Sequence, residues 1–328
     1  MSLTGKRSEI VLFLTLQRKG EGLEEMATRR IMVCGGAGFV GSHLVDRLLA
    51  EGHEVDVVDD LSSGSLANLG EARAATGHFK FQHLAVGARE FTELVSLRRP
   101  EVIFNLSVLT PSQSHLAGAM ASIASAVAVL EAARLSGVTK VVTTEPSTLL
   151  YGDVAARDIP IKEGHLSEPR LAGEVVARAI SDMHTVYREL HAIEFTVLAV
   201  GTVYGPRQRP EDGVVASFLH ALEEGKAPII HGSGKQTRDF IYIDDVVDAL
   251  VRSIDRAGGL VVNIGTGEQL SIRDLWSKMA GASSLTPHTS SARPHDVTRL
   301  ALSPVRARIQ LGWSPFTPLE QGLTLLRS

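Results

Sequence analysis

Short apolar runs punctuate the first two thirds of the chain: Ile31–Cys34, Val55–Val58, Phe79–Leu84, Val102–Leu106, Lys140–Thr143 and Glu194–Val200. Runs of this length, rich in β-branched residues, predict strands. Between the first two, Val40, Leu44, Val45 and Leu48 recur at helical spacing. The alanine-rich stretch Ala119–Leu135 predicts a second helix, and Leu171–Leu190 a third. Strand and helix in alternation imply a parallel sheet covered by helices on its faces, an α/β, doubly wound arrangement. After Gly201 the elements shorten. Turns fall at Gly205-Pro206, Gly232-Ser233-Gly234 and Gly265-Thr266-Gly267, and a loop rich in Ser, Thr and Pro spans Gly281–Pro294.

Composition narrows the partners. A chain of 328 residues has ample length for a buried core. Its net charge of −4 argues against a broad nucleic-acid surface. The single cysteine, Cys34, lies in a predicted strand, so a disulfide framework and a cysteine-rich metal site are ruled out. Cys34 reads as a small core hydrophobe, and a reducing, cytoplasmic setting fits. The 12 histidines are scattered, and no metal site is expected. No run is expected to approach the ~20 apolar residues that span a bilayer, so no membrane partner is expected. Ile10–Leu16 follows Lys6-Arg7 and has a faint signal-peptide look, without a clear cleavage site. Residues 1–28 read instead as an extension, consistent with an upstream start before Met26.

Gly35-Gly36-Ala37-Gly38-Phe39-Val40-Gly41 follows the first strand and opens the first helix. Glycines there permit a tight turn and close approach to a pyrophosphate, and the helix N-terminus offers N–H groups and positive dipole charge. About 20 residues on, Asp59-Asp60 ends the second strand, where a carboxylate can bind a ribose hydroxyl and repel a 2′-phosphate. NAD is therefore the expected cofactor. The candidate cofactor-binding residues are Gly35, Gly38, Phe39, Val40, Gly41, Asp59, Asp60 and Ser62.

On these motifs residues 29–322 resemble the extended short-chain dehydrogenase/reductase family of nucleotide-sugar epimerases, dehydratases and decarboxylases. Asp59-Asp60-Leu61-Ser62-Ser63-Gly64 matches the family's Asp-Asn-Leu-Ser-Ser-Gly-like turn. Ala85-Val86 stands where the family often carries an adenine-holding Asp. Gly201–Gln208, Gly232–Asp245, Asn263–Gly267 and Arg293-Pro294-His295-Asp296 match further family segments. The resemblance implies a Rossmann domain over 29–200 plus about 236–265. A smaller, discontinuous C-terminal substrate domain takes about 201–235 plus 266–328. It implies substrate-binding roles for Arg238, Arg293, Asp296 and Thr202 toward a UDP- or dTDP-linked sugar. Two guanidinium groups suit a diphosphate because each is a permanently charged donor fork. Thr202 replaces an asparagine, which puts its contact in doubt. Trp313 falls on a structural position.

The family's reaction uses a Tyr-x-x-x-Lys pair, and here it is missing. The tyrosines are Tyr151, Tyr187, Tyr204 and Tyr242, and Ala155, His191, Gln208 and Val246 stand four residues after them. Ser147, in Ser147-Thr148-Leu149-Leu150-Tyr151-Gly152, falls on the family's catalytic hydroxyl. Between Glu163–Pro169 and Leu171–Glu174, which flank the usual pair, stands only Arg170. An ungapped reading places Leu166 at the Tyr and Arg170 at the Lys. Asn105 replaces a usual His and Ser122 a usual Asn, so several changes fall in one pocket. Tyr151, His165, Lys162 and Glu163 lie near in sequence but read better as structural or solvated groups. The expectation is a divergent NAD-dependent nucleotide-sugar epimerase or dehydratase with an atypical active site. The alternative is a catalytically silent NAD- and NDP-sugar-binding paralogue; a non-redox enzyme is a third reading. Family habit also implies a homodimer through the helices over Ala119–Leu135 and Leu171–Leu190.

Overall fold

The structure is a computed structural model that describes residues 28–75, 78–107, 116–165, 167–281 and 283–327. The extension up to residue 27, most of the connection Leu109–Ala119, and Leu166 lie outside the described residues. Seven strands form one sheet: β1 (Arg30–Cys34), β2 (Glu54–Asp59), β3 (Phe79–His83), β4 (Val102–Asn105), β5 (Lys140–Pro146), β6 (Glu194–Val200) and β7 (Leu260–Ile264). Their order is β7-β6-β5-β4-β1-β2-β3, and every adjacent pair is parallel. The doubly wound sheet expected from the strand–helix alternation is borne out.

Both faces of the sheet are buried, which is why its strands read as nearly continuous apolar runs. Val33, Val57, Phe104, Val142 and Leu198 pack on one face with Leu44 of α1 (Phe39–Ala50) and with a helix over Ile243–Arg252. Met32, Ile103 and Val141 pack on the other face. There they meet Phe91 of α2 (Glu90–Arg98) and Val129 of α3 (Leu116–Ser136). Helix α5 (Ala172–His191) lies beside α3 on this second face. Each fully buried Val, Leu or Phe contributes roughly 1.5–3 kcal/mol.

One sequence expectation is corrected. The 21-residue helix α3 contains an 18-residue window of mean hydropathy 1.7, and is long and apolar enough by composition to cross a membrane. Its alanines raise the hydropathy without supplying large side chains. Ala126, Val129, Leu130 and Ala133 are buried in the fold, so core packing accounts for the helix.

The chirality of the crossovers sends β1–β3 one way from the centre and β4–β7 the other. The reversal falls between β1 and β4, and ligands bind in the crevice outside the strand ends at such a point. Cys34 is level with both Val58 and Asn105, so the ends of β1, β2 and β4 form one rim. Beyond the sheet, short pairs build the smaller lobe: Thr237–Arg238 with Leu270–Ser271, and Ile229–His231 with His288–Ser290. Trp313 is buried and donates its indole N–H to the Asp245 carbonyl at 2.9 Å, a packing role.

Candidate active site

The glycine loop is built by close approach. Gly35 has φ +78°, and a Cβ there would lie 2.9 Å from the Leu106 carbonyl. At Gly41 a Cβ would lie 2.1 Å from the Gly35 oxygen, so α1 touches the loop backbone directly. The α1 N-terminus has Gly38 as its cap and no side-chain hydrogen bond, leaving its first N–H groups for an anion. Phe39 and Val40 open this helix.

Asp59 fixes the loop's position. Its carboxylate accepts from the Ala37 N–H at 2.9 Å and the Leu61 N–H at 2.8 Å. Burial raises its pKa, and these two N–H groups oppose the rise. Asp60 is exposed and accepts from the Ser62 N–H at 2.9 Å. Loop, uncapped helix and acidic strand end form a cradle that fits a dinucleotide, with Asp59 serving also as the loop's brace.

A second feature is a cleft of about 570 Å³ lined mainly by the smaller lobe, with Asp153 and Arg170 added from the earlier part of the chain. Its lining includes Arg293 and Asp296, and also Arg170, Lys235, Arg299 and Asp153. Lys235, Arg299 and Arg170 were not among the binding candidates from sequence: Lys235 lies in a matched segment in which only Arg238 was assigned a role, Arg170 was read against the missing pair, and Arg299 lies outside the matched segments. Arg238 lies behind the wall of this cleft. It donates to the carbonyls of Thr237 at 2.8 Å and Val297 at 2.7 Å, and to Asp296 at 2.5 Å. Those three bonds use part of its five-donor fork. Burial lowers its pKa, and the Asp296 charge opposes that. Arg170 stands 3.6 Å from Asp153, which Thr298 holds through its N–H at 2.7 Å. Thr202 donates its N–H to the Asp239 carbonyl at 2.7 Å. Asp239 is a residue that sequence reasoning missed. Fully buried, it accepts from the N–H groups of Thr266, Gly267 and Leu302 and ties three segments of the smaller lobe together.

The strand ends beyond β4 hold the third feature. Ser147 opens the short helix α4 (Ser147–Tyr151) and is buried, with no hydrogen-bond partner for its hydroxyl. Tyr151 points away from any such role. Its hydroxyl donates to Asn263 of β7 at 2.6 Å, and burial raises its pKa. Tyr187 donates to Glu131, and Tyr204 reaches the Leu319 carbonyl at 3.4 Å. Glu163 accepts from the Asn263 N–H at 2.9 Å, so it too braces β7. Strand β5 runs to Pro146, past the predicted end at Thr143, and carries Glu145 into the buried rim. Glu145 is fully buried, and neither carboxyl oxygen has a partner. Asn105 accepts from Ser107 at 2.8 Å, and Ser107 meets Ser125 of α3 at 2.7 Å, while the Asn105 Nδ2 is unmatched. Among the described residues no group of His, Cys, Asp and Glu could hold a metal ion.

A dinucleotide cradle and a basic cleft in one chain define a class, and the comparisons with known proteins agree. The model of the NAD dependent epimerase/dehydratase family matches residues 31–265, and the chain belongs to that family. A UDP-glucose 4-epimerase of Mycolicibacterium smegmatis is 40% identical over 307 residues, spanning 90% of this chain and 96% of that protein. The structure of a Thermotoga maritima UDP-glucose 4-epimerase with UDP-glucose superposes with a TM-score of 0.84 at 31% identity, covering 90% of this chain and 96% of that one. A Thermus thermophilus UDP-glucose 4-epimerase in complex with NAD gives 0.82 at 28% identity, covering 90% and 97%.

Proposed function

We propose that the chain binds NAD on the Gly35–Gly41 loop and a UDP- or dTDP-linked sugar in the basic cleft. It acts on that sugar as a divergent epimerase or dehydratase with an atypical proton-transfer group. The observation that carries this reading is the presence in one chain of a dinucleotide cradle at the ends of β1 and β2 and of a cleft lined by Arg170, Lys235, Arg293 and Arg299. The epimerase relatives above, one seen with UDP-glucose and one with NAD, support it.

Bound NAD supplies an acceptor for hydride. The chain's own residues do the rest. Loop N–H groups and the α1 N-terminus hold the pyrophosphate, and Asp59 with Asp60 takes the ribose. Arg293, with Lys235 and Arg299, meets the sugar diphosphate from the cleft. Arg238 holds Asp296 and offers its remaining N–H donors from below. The unmatched Ser147 hydroxyl orients a sugar oxygen.

A silent binder is the second reading, favoured by the Tyr151 hydroxyl being committed to Asn263. Purified protein, NAD and a panel of UDP- and dTDP-sugars separate the two. Formation of a new sugar or of reduced nicotinamide supports the enzyme; binding of both ligands without either product supports the silent reading.

We also infer a homodimer through α3 and α5. Met120 and Val127 on α3, and Val175 and Val186 on α5, are exposed apolar residues that a two-fold partner would cover. Ile180, in the same apolar stripe by sequence, is already buried inside the chain.

A further inference from the structure

We propose that Glu145 is the group that exchanges a proton with the sugar hydroxyl, in place of the absent phenol. This rests on the enzyme reading above. Three observations carry it.

The first is place. Glu145 is two residues before Ser147, at the carboxyl end of β5 and level with Ala199 of β6. Side chains alternate along a strand, so Glu145 faces the same side as Thr143. Thr143 meets His184 of α5 at 3.0 Å, so that side is the α5 side. In the family the tyrosine and lysine immediately precede the segment that here begins α5. Glu145 therefore approaches the strand end from the side the phenol would have used.

The second is cost. Both oxygens of Glu145 are buried without a hydrogen-bond partner. An unmatched buried acceptor costs about 1–3 kcal/mol, and more when charged. An alanine would remove that cost. The fold keeps an expensive group at the rim where ligands bind, as expected if a ligand completes it.

The third is company. The Ser147 hydroxyl, the Thr148 hydroxyl and the Asn105 Nδ2 are also buried and unmatched. Open donors and acceptors thus gather on the ends of β4 and β5 and at the start of α4.

The step balances with NAD as oxidant. The sugar O–H bond breaks and its proton passes to a Glu145 oxygen. The C–H bond on the same carbon breaks, its hydrogen leaves with the electron pair to the nicotinamide, and a carbonyl forms. Reversal returns both. Burial alone raises the Glu145 pKa in the free protein. Beside a cationic nicotinamide Glu145 is favoured as the carboxylate; beside the reduced, neutral ring it is favoured as the acid. Proton uptake and hydride loss by the sugar are thereby coupled.

The test compares wild type with Glu145→Gln and Glu145→Asp. Calorimetry with NAD and with UDP-glucose comes first, because absence of binding in wild type would refute the functional reading itself. Glu145→Gln should bind both ligands within about threefold of wild type. Its rate of turnover of UDP-sugars, read as new sugar or as reduced nicotinamide, should fall about 10²–10⁴-fold, the range for general-base loss. Glu145→Asp should recover part of that rate. The free Glu145→Gln protein should melt no lower than wild type, since the carboxyl makes no contact in the empty fold. Undiminished turnover in Glu145→Gln would overturn the proposal. So would a lowered melting temperature, which marks a structural carboxyl, or a wild type that binds both ligands and yields neither a new sugar nor reduced nicotinamide with any sugar of the panel.

Discussion

Adding one methyl group at Gly41 tests the cofactor cradle most directly. The Cβ of Gly41→Ala would fall 2.1 Å from the Gly35 oxygen and 2.7 Å from the Gly36 Cα. Both neighbours are backbone, so no flexible side chain can yield. Ordinary contact requires α1 and the loop to part by at least about 1 Å, and overpacking of this kind costs roughly 1–3 kcal/mol. The same movement displaces the α1 N–H groups from the pyrophosphate position, so NAD affinity should fall at least tenfold, about 1.4 kcal/mol. Gly38 supplies the graded control. There a Cβ would stand 3.2 Å from the Gly35 oxygen, a contact the loop can absorb with a small shift. Gly38→Ala should therefore weaken NAD binding less than Gly41→Ala, whereas the larger branched side chain of Gly38→Val should abolish it. Calorimetric titration and thermal melting of the three variants would decide. Wild-type NAD affinity in Gly41→Ala, or a milder effect there than in Gly38→Ala, would refute the argument that close helix–loop approach forms the cradle.

Other outcomes follow from the same geometry. Arg293→Gln and Arg238→Gln should each weaken UDP-sugar binding by about 1.5–3 kcal/mol, and Arg238→Gln should also lower the melting temperature because Asp296 loses its partner. Equal affinity in either variant would remove that residue from the site. Tyr151→Phe should cost about 1 kcal/mol of stability through the lost bond to Asn263 and leave any turnover intact; loss of turnover alone would show that Tyr151 is the base. Burial raises the pKa of Asp59, Asp239 and Asp245, the last to about 6. At Asp245 the folded chain then holds a proton that the unfolded chain has released, so wild type should lose stability relative to Asp245→Asn as pH climbs from about 4 to about 6. The variant comparison is needed because burial lowers the His184 pKa to about 4, which acts in the opposite sense over the same range. Urea unfolding in which wild type gains stability on Asp245→Asn over that range would contradict this sign. Light scattering should give twice the 35.2 kDa chain mass, and Val175→Glu should give the monomer.

The sheet was legible because strands buried on both faces leave continuous apolar runs, and the cradle because its glycines obey a local spacing. The cleft was legible only in part. Arg293 and Asp296 sit in a recognisable segment. Arg299 does not, and Lys235 sits in a matched segment that pointed to Arg238 alone; both line the cleft in the folded chain. Arg238 read as a donor fork for the diphosphate; it is largely buried behind the cleft wall, where the Asp296 carboxylate neutralises it. Glu145 was missed for a related reason. The strand pattern ended at Thr143, and a carboxylate two residues later looked like the start of a loop. Hydrogen bonding of β5 to β6 carries the strand on through Pro146, and that register turns an apparent loop charge into a buried one.

Binding and proton transfer are physically separable in this fold. The cradle depends on backbone contacts around Gly35–Gly41, and the cleft on cations carried mainly by the smaller lobe. From the segment just before α5, where the family places its phenol, the cleft takes only Arg170. Absence of the Tyr-x-x-x-Lys pair therefore leaves the residues of both recognition sites in place. It does not leave the chemistry in place, since hydride cannot leave a carbinol carbon unless the hydroxyl proton also departs. A chain that lost the phenol without replacement would be free to fill the β5 end with small apolar side chains, which cost nothing there. This chain instead buries a carboxyl, two hydroxyls and an amide nitrogen without partners at that end. Removing the Glu145 carboxyl thus separates the two histories: in a silent binder it can only relieve the fold, and in an enzyme it must also stop the reaction.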